Sequence, residues 1–323
     1  AAPAAAPAAA PAAAPPTEPV PALTVLGSSR VCGLELGASG QVERVRYATR
    51  GGSEEELEVD ACVLSLGARG MKAIMGGSPT LARACPALTA AAALPSIDVI
   101  AVRIWLDTVV PTRTPANVLS RFEALRGAGG TFFMLDQLQG GAYGDADPEL
   151  LWGDEPESTP RGSVVACDFY NAGGLLSLAD EDIVNLLMNE LLPSAVPEFR
   201  AAAVVDSYVQ RYPGAVTWFA PGSYKSRPPL QTSVRNLVCA GDWVRMGERE
   251  HGAKGLCQER AFVSGLEAAN ALARSGVLGA GHTGQHEVIP IRDDEPQVVL
   301  GRAVNKRVMD VLNPLGLASP WVR

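Results

Sequence analysis

The sequence lacks the residue clusters that build metal sites and disulfide frameworks. Its six cysteines are scattered without a Cys-x-x-Cys pair, and its three histidines all follow residue 250. We therefore expect neither a zinc site nor a set of structural disulfides. Most of the cysteines stand in apolar runs, as Cys239 does, which is typical of small core residues in a reducing compartment.

Long apolar runs and basic patches are missing as well. No stretch reaches the roughly 18 apolar residues that a membrane-spanning helix needs. The net charge of −8 leaves no basic patch to neutralise phosphates, so a nucleic-acid partner is not expected. With 47% hydrophobic and 19% charged residues, the composition predicts a globular protein with a sizeable core.

The first 22 residues consist almost entirely of Ala and Pro. Proline at every fourth or fifth position prevents a regular helix and favours an extended spacer. The segment has neither the basic nor the apolar region of a signal peptide. We interpret residues 1–22 as a disordered Ala/Pro linker, and we expect the chain to be a piece of something longer.

Residues 23–66 have the pattern of a β-meander with glycine- and serine-rich turns. Residues 59–67 then form a short apolar run that ends in Gly67, which is typical of a buried strand in a parallel sheet. The meander strands are expected at residues 23–26, 31–36 and 42–48.

The middle of the chain predicts a further sheet and one helix. Residues 97–106 are strongly β-prone, and a loop over 140–162 is long enough to be a lid or simply disordered. Asp180 is predicted as the N-cap of a helix over 181–192 that Pro193 ends. Further strands are expected at 131–135, 163–167 and 204–211, and a surface loop at 221–233.

Two helices are predicted near the C-terminus. The first covers about 256–274, where Gly265 is expected at a point of close packing. The second, over 298–312, carries an apolar stripe with Arg302, Lys306 and Arg307 opposite. This helix could pack on its own domain or rest on a membrane interface.

The segment 236–269 carries the pattern most informative about chemistry. Residues 236–240 predict a short buried strand, and Gly241-Asp242 follow it as a turn. Such a turn places an anchored carboxylate at the carboxyl edge of a sheet, where cofactors bind in open α/β folds. The N-terminus of the following helix adds N–H groups and a positive dipole end, which suit anionic ligand atoms.

This segment resembles the C-terminal FAD-binding signature of the flavin-containing amine oxidase superfamily, which includes the carotenoid desaturases. In that signature a strand ends in Ala-Gly-Asp, and a short loop leads into a Ser-Gly helix with small residues. Residues 236–243 and 259–269 match this arrangement. The resemblance extends in order from about residue 24 to 275, with residues 59–67 similar to the strand of the cofactor domain and residues 97–107 similar to the start of the substrate-domain sheet.

The resemblance implies a site and a cofactor, FAD. Asp242 would contact the ribityl-pyrophosphate region, and the backbone at 258–260 would lie near the flavin ring edge. Two departures stand out, because the loop 244–256 is longer than the family's usual connection and Arg260 stands where a glycine is typical. The cofactor-binding residues implied are Gly67, Ala240, Gly241, Asp242, Trp243, Gln258, Glu259, Arg260 and Ser264.

The resemblance also implies a fold and its division into domains. The fold class is α/β: a partial, discontinuous doubly wound FAD-binding domain with an inserted substrate domain on a mixed or antiparallel sheet. The FAD-binding portions would be 23–80 and 234–275, with the substrate domain at 81–233 and a tail with an amphipathic helix at 276–323.

The function implied is dehydrogenation or desaturation by hydride transfer to flavin N5, with an amine or a lipophilic, carotenoid-like small-molecule substrate. No GxGxxG fingerprint follows a strand in this sequence, so the ADP half of the site is expected on an upstream N-terminal segment. Alone, the chain is expected to retain FAD weakly or not at all. The resemblance also implies a peripheral membrane contact and a plastid location. A cytoplasmic location is the alternative.

Other interpretations stay open. The chain could be a non-catalytic, FAD-free remnant that acts as a subunit or scaffold, or an NAD(P)-dependent enzyme of related fold. His251 could be a general base, although a loop histidine is more often solvated, and Lys254 could reach a ligand. Asp98 is expected to face solvent by strand alternation. Six aromatic residues could line a substrate tunnel but are expected in the core first: Trp105, Phe132, Phe133, Trp152, Tyr170 and Trp218.

Overall fold

The computed structural model describes residues 23–119, 122–139, 151–153, 159–247, 258–279, 285–289 and 293–317. Strands and helices both contribute, in agreement with the expected mixed α/β class. The strands are β1 (Arg30–Leu36), β2 (Val42–Ala48), β3 (Glu54–Glu58), β4 (Cys62–Leu64), β5 (Ser96–Leu106), β6 (Ala116–Leu119), β7 (Gly129–Met134), β8 (Val164–Tyr170), β9 (Val204–Thr217) and β10 (Leu237–Cys239). The helices are α1 (Ala68–Gly77), α2 (Pro79–Ala84), α3 (Pro86–Ala92), α4 (Leu135–Gln139), α5 (Asp180–Leu186), α6 (Leu192–Ala195), α7 (Gln258–Ser275) and α8 (Pro296–Leu312).

The expected meander is present, but its third strand is a different one. Strands β1, β2 and β3 pair antiparallel in that order, whereas residues 23–26 form no strand. β3 is the acidic run Glu54–Glu58, all of it exposed. Its glutamates face arginines of β2, with Arg44 to Glu56 at 3.2 Å and Arg46 to Glu54 at 3.7 Å. Opposite charges across neighbouring strands favour this pairing modestly. The β propensity of single residues does not include such cross-strand ion pairs, so it did not predict β3.

The short apolar run at 59–67 contains β4, which pairs parallel with β10 through Leu237 opposite Cys62 and Cys239 opposite Leu64. The prediction of a buried strand in a parallel sheet is therefore confirmed for this pair. Within the described residues the parallel sheet has these two strands, so the doubly wound topology stays a prediction.

Asn236, directly before β10, ties three segments together. Its side-chain amide donates to the carbonyls of Val42 and Asp60 at 2.8 and 2.9 Å, and its Oδ1 accepts the N–H of Val42 at 2.9 Å. The residue is buried. Three hydrogen bonds in a region that water does not reach fix the start of β10 relative to the meander.

The second sheet is antiparallel throughout, in the order β6-β7-β8-β5-β9. The strands predicted at 97–106, 131–135, 163–167 and 204–211 all lie in it. Alternation along β5 directs Ile100, Val102 and Ile104 into the core, which is the period-2 pattern of a sheet with one covered face.

The helix predicted after residue 180 is present with different ends. Asp180 is the first helical residue rather than the N-cap, and it forms an ion pair with Arg211. Pro193 does not end the helix, because a π turn over Leu187–Leu191 leads into α6, where proline occupies the first turn. A proline is tolerated there because first-turn N–H groups need no partner within the helix.

Three hydrophobic clusters lie among the described residues, and the two larger ones hold these elements. The first joins the meander, α1, α2, α3, β10 and α7, and the second lies between the five-stranded sheet and the helices over 180–201. Leu81 and Leu88, from the segment assigned to the substrate domain, pack in the first cluster, and the domain division itself stays a prediction. The described cysteines carry free thiols, and burial raises the pKa of the Cys239 thiol to about 12.

The segment 221–233 is not simply a surface loop. Arg227 and Leu230 are buried, and isolated bridges join Pro229 to Arg245 and Gln231 to Val238. The prediction was wrong because prolines and serines mark irregular backbone, not exposure. This segment therefore lines β10 and the turn that follows it.

The C-terminal helix α8 is present where it was predicted, but none of its residues is buried. Leu300 and Val311 of its apolar stripe remain 66% and 64% exposed. In the described portions of the chain, no helix combines the length and the apolar character needed to cross a bilayer.

Several further predictions lie wholly or largely outside the described residues: the linker 1–22, most of the loop 140–162, and the side chains of His251 and Lys254.

Candidate functional site

The candidate site starts where the parallel strand β10 ends. Ala240 continues the pairing by donating its N–H to the carbonyl of Leu64 at 3.0 Å. Gly241 then takes φ +127°, a left-handed region that side chains disfavour, and a Cβ there would lie 3.3 Å from the Trp243 ring. The strand thus turns sharply at Gly241, and Asp242 projects at the edge of the sheet.

Ser264 of α7 supports this turn. Its hydroxyl accepts the N–H of Gly241 at 2.7 Å and donates to the carbonyl of Ala261 at 2.7 Å. Ser264 is fully buried. The small side chain predicted for the Ser-Gly helix therefore connects helix and strand through a hydrogen bond.

Gly265 does not have the role expected of it. A Cβ at this position would meet no atom within 4 Å, and the residue is exposed. The prediction of close packing at Gly265 was wrong, because it is the neighbouring Ser264 that faces the strand.

Arg260 also reaches from α7 to the turn. Its Nε donates to the carbonyl of Asp242 and one terminal nitrogen donates to the carbonyl of Val244, both at 2.6 Å. The residue is 2% exposed. A guanidinium can hold two carbonyls at once because its donors form a planar fork. Arg260, noted from sequence as a departure from the resembled signature, therefore forms a buried, charged connection to the turn.

Arg227 closes the site from the other side. Its guanidinium lies 3.7 Å from the ring centroid of Phe219 and 5.6 Å from that of Tyr224, which is cation–π geometry. Its carbonyl accepts the Nε–H of Arg245 at 2.9 Å. Sequence reasoning missed Arg227, since nothing in the Pro/Ser-rich segment distinguishes it from a surface arginine.

Asp242 is about half-buried between these groups. Burial raises the pKa of its carboxyl, while hydrogen bonds from backbone N–H groups and the guanidinium groups of Arg260 and Arg227 pull that pKa down. The balance is a net increase. Asp242 is thus a desolvated carboxylate beside two buried cations, suited to contacts with hydroxyl or N–H groups of a ligand.

Trp243 adds a buried donor beside the turn. The residue is 2% exposed, and among the described residues its indole N–H meets no hydrogen-bond acceptor. A buried polar group normally has a partner. This donor and the glycine turn next to it are the features that a bound ligand would complement.

The remaining predicted residues lie around this turn to different degrees. Gly67 precedes α1 at the end of β4, and therefore at the same edge of the parallel pair as Asp242. It also lies close to the end of β9, where a Cβ on Gly67 would be 3.6 Å from the carbonyl of Ala215. Gln258 and Glu259 occupy the exposed first turn of α7. The structure groups Ala240, Gly241, Asp242, Trp243, Arg260 and Ser264 directly.

The other side chains singled out from sequence lie away from the turn at Gly241. Asp98 is partly buried and accepts the N–H of Gly214 at 2.7 Å, so the expectation of a solvent-facing carboxylate was wrong. Phe132 and Trp152 are buried, whereas Tyr170 and Trp218 are 42% and 49% exposed.

Two cavities lie elsewhere. The larger, about 510 Å³, is lined by Glu43, Arg44, Glu58, Val59 and Asp60. The smaller, about 230 Å³, lies behind β10 and is lined in part by Thr232, Arg235 and Ser275. Neither includes Asp242.

Comparison with known proteins identifies what this chain is similar to. A family model described as flavin containing amine oxidoreductase matches residues 5–273. A search of curated protein sequences finds no match.

Among solved structures, an oxidoreductase from Methanosarcina mazei is similar at 16% identity and a TM-score of 0.42, over 74% of this chain and 48% of that one. Cyclohexylamine oxidase from Brevibacterium oxydans IH-35A is similar at 11% identity and a TM-score of 0.42, over 76% of this chain and 48% of that one. The chain thus spans about half the length of each of these structures.

Proposed function

The chain belongs to the flavin-containing amine oxidoreductase family, and from this premise we propose that it forms the flavin-ring side of an FAD-dependent oxidoreductase. The observation that carries the proposal is the turn Ala240-Gly241-Asp242, held by Ser264 and Arg260 of α7. The family match covers this turn and the helix together.

The residues at the turn fit a flavin on two counts. Trp243 offers a buried N–H donor with no acceptor among the described residues, and the bare backbone of Gly241 leaves open a position that a side chain would fill. The half-buried carboxylate of Asp242 can accept hydrogen bonds from ribityl hydroxyls. The N-terminus of α7, at Gln258 and Glu259, is suited to the electron-rich edge of the ring.

When bound, FAD would supply the hydride acceptor for oxidation of a substrate C–H bond. The chain's own part is to orient the ring and exclude water. As substrate we propose an amine or a lipophilic molecule of the carotenoid type, which the resemblance of residues 236–269 supports. A GxGxxG segment outside these 323 residues would hold the ADP moiety, and α8 is the candidate for peripheral membrane contact. A plastid location rests on the desaturase resemblance alone.

A flavin titration of the purified chain tests this proposal. Quenching of flavin fluorescence should show that riboflavin and FAD bind with weak affinities that agree within about threefold, because the ADP moiety finds no dinucleotide fingerprint here. Asp242→Ala should weaken both, whereas Asp206→Ala, an exposed carboxylate on β9, should not. FAD bound stoichiometrically and far more tightly than riboflavin would show that the chain holds the ADP site too.

The second candidate is a flavin-free subunit or scaffold. Arg260 favours it, because its buried guanidinium occupies the position where the family usually has glycine. On this alternative, the folded chain binds neither riboflavin nor FAD, even when a GxGxxG-containing partner segment is supplied.

A further inference from the structure

As far as the described residues go, the five-stranded sheet leaves the middle of one face open. Ile100, Val102 and Ile104 of β5 face the core, whereas Ala101 and Arg103 between them are partly exposed on the other side. At one end of this open face, the indole N–H of Trp105 donates to the carbonyl of Leu151 at 2.7 Å, so Trp105 is covered. The open face therefore lies beside a wall formed by Leu151 and Trp152.

The end of β9 adjoins the candidate flavin site, because a Cβ on Gly67 would lie 3.6 Å from the carbonyl of Ala215. The guanidinium of Arg69, in α1, donates to the carbonyl of Pro213 in β9 at 2.6 Å. Directly after β9, Phe219 stacks on Arg227, whose charge acts on Asp242. Strand β9 thus runs from Asp206, opposite the covered Trp105, towards the turn that holds Asp242.

The strand register places a carboxylate and a guanidinium on this face as diagonal neighbours. Asp168 of β8 lies opposite Ala101 of β5 and Thr131 of β7. Arg103 lies two residues further along β5 than Ala101 and faces Ala166 of β8. Diagonal neighbours of this kind have Cα atoms about 7–8 Å apart, within reach of a long side chain.

Asp168 is about half-buried although it stands on an open face. Burial raises the pKa of its carboxyl, and the charge of Arg103 partly offsets that increase. A desolvated carboxylate in the centre of a sheet is destabilising unless it is paired or hydrogen-bonded. No ion pair within 4 Å joins Asp168 to Arg103 among the described residues. The carboxylate of Asp168 and the guanidinium of Arg103 can therefore each bind a charged group of a ligand.

Aromatic rings surround this pair. Tyr208 is 58% exposed, Tyr170 is 42% exposed and Tyr212 is 37% exposed, and all three lie on the open face by their register. The hydroxyl groups of Tyr170 and Thr131 lie 3.4 Å apart. Exposed tyrosines around a charged pair form a surface for a ligand with both an apolar body and charged ends.

We propose that this open face binds a small zwitterion of the amino-acid class, with its ammonium on Asp168, its carboxylate on Arg103 and its apolar or aromatic body against the tyrosines. A simple amine would leave the Arg103 guanidinium without a partner, whereas the carboxylate of a zwitterion can accept hydrogen bonds from it. That such a molecule is the substrate rests on the proposed function. The binding of such a molecule does not depend on the proposed function, because all the residues named for this face belong to the chain itself and none requires flavin.

Calorimetric titration of the full chain without flavin tests the binding. The probes are phenylalanine, phenethylamine, which has only the ammonium, and 3-phenylpropionate, which has only the carboxylate. We expect phenylalanine to bind at least about tenfold more tightly than either single-charge probe, since charge-assisted hydrogen bonds are the stronger class.

Two variants assign the ends of the ligand. Asp168→Asn should abolish the preference for phenylalanine over 3-phenylpropionate, and Arg103→Met should abolish its preference over phenethylamine. Asp182→Asn is the control, because it removes one negative charge from helix α5, which packs on the opposite face of the sheet, and should leave both preferences unchanged. Unchanged thermal unfolding midpoints would show that the variants are folded.

Two results would overturn the proposal. One is equal binding of all three probes, or none, by a folded chain. The other is a concentration-dependent dimer that Tyr208→Glu converts to a monomer, which would assign the face to a second copy of the chain. The calorimetric titration contains no flavin, so a negative result there does not affect the proposal of a flavin site. In the same way, a negative flavin titration does not affect the proposal that the face binds a zwitterion.

Discussion

The hydroxyl of Ser264 accepts the backbone N–H of Gly241 at 2.7 Å, and this bond joins helix α7 to the end of strand β10. Two segments 23 residues apart in sequence thereby become one structural unit. The bond uses the N–H of Gly241 internally, so this N–H is not available to a ligand. Ligand contacts at the turn fall instead to the Asp242 carboxylate and the Trp243 indole.

Ser264→Ala should destabilise the protein by about 1–3 kcal/mol, because it leaves the N–H of Gly241 buried without its acceptor. Chemical denaturation measures the change. Ser275→Ala is the matched control, since the Ser275 hydroxyl on the same helix also donates to the carbonyl three residues earlier at 2.7 Å, but the N–H that it accepts, from Val277 at 3.3 Å, belongs to the turn after the helix and not to β10. A loss no larger than that of the control would mean that the bond to Gly241 contributes little.

Gly241→Ala and Gly265→Ala should shift the stability in opposite directions. At φ +127°, with the Trp243 ring 3.3 Å from the new methyl group, Gly241→Ala should cost about 1–3 kcal/mol. Gly265→Ala lies in a helix with open space around it and should stabilise by about 0.5–1 kcal/mol. Denaturation midpoints of the two variants measure these changes. Destabilisation by Gly265→Ala would contradict the open space seen around Gly265 and would support close packing there.

Arg260→Lys should destabilise the protein by about 1.5–3 kcal/mol, since an ammonium lacks the planar fork that holds the carbonyls of Asp242 and Val244. The control is Arg274→Lys on the same helix, where the pair with Glu267 is 3.9 Å long and Arg274 is exposed. A change of less than about 1 kcal/mol is expected there. Equal effects would argue against a special role for the Arg260 connection.

The pH dependence of stability should carry the signature of Asp242. Its pKa in the folded state is raised, so the folded protein binds this proton more tightly than the unfolded chain does. The carboxyl therefore stabilises the fold most at low pH, and this contribution is lost as pH rises through its folded pKa. Asp242→Asn removes the dependence, so the stability of the variant relative to the parent should improve from about pH 4 to pH 7. Unfolding curves of the variant and the parent, measured side by side at several pH values, check this. A stability of the variant relative to the parent that falls as pH rises would show that the pKa of Asp242 is lowered by folding rather than raised.

Much of the site could be predicted because its signal is local. A short apolar strand, a glycine turn, a carboxylate and a small-residue helix follow one another within 236–269, and each of these features depends on neighbouring residues. The strands of the antiparallel sheet were likewise predictable from β-branched and aromatic runs. Predictions failed where the cause lies across the fold. The run Glu54–Glu58, for example, is a strand because arginines of β2 face it. The helix end predicted at Pro193 failed for a local reason instead, because a π turn over Leu187–Leu191 precedes the proline and sequence periodicity does not show it.

The sequence by itself determined the family and the order of the segments, because both are carried by contiguous motifs. Tertiary structure decided which side chains act together. Arg227, Asn236 and Arg260 gain their roles from partners 16 to 194 residues away or from stacked rings, and the Asp168–Arg103 diagonal exists only through the register of two strands. Secondary-structure propensity depends only on the backbone preferences of a few neighbouring residues. Burial, charge pairing and register are set only when distant segments pack, and these are the quantities that turn a glycine, an aspartate and two arginines into a site.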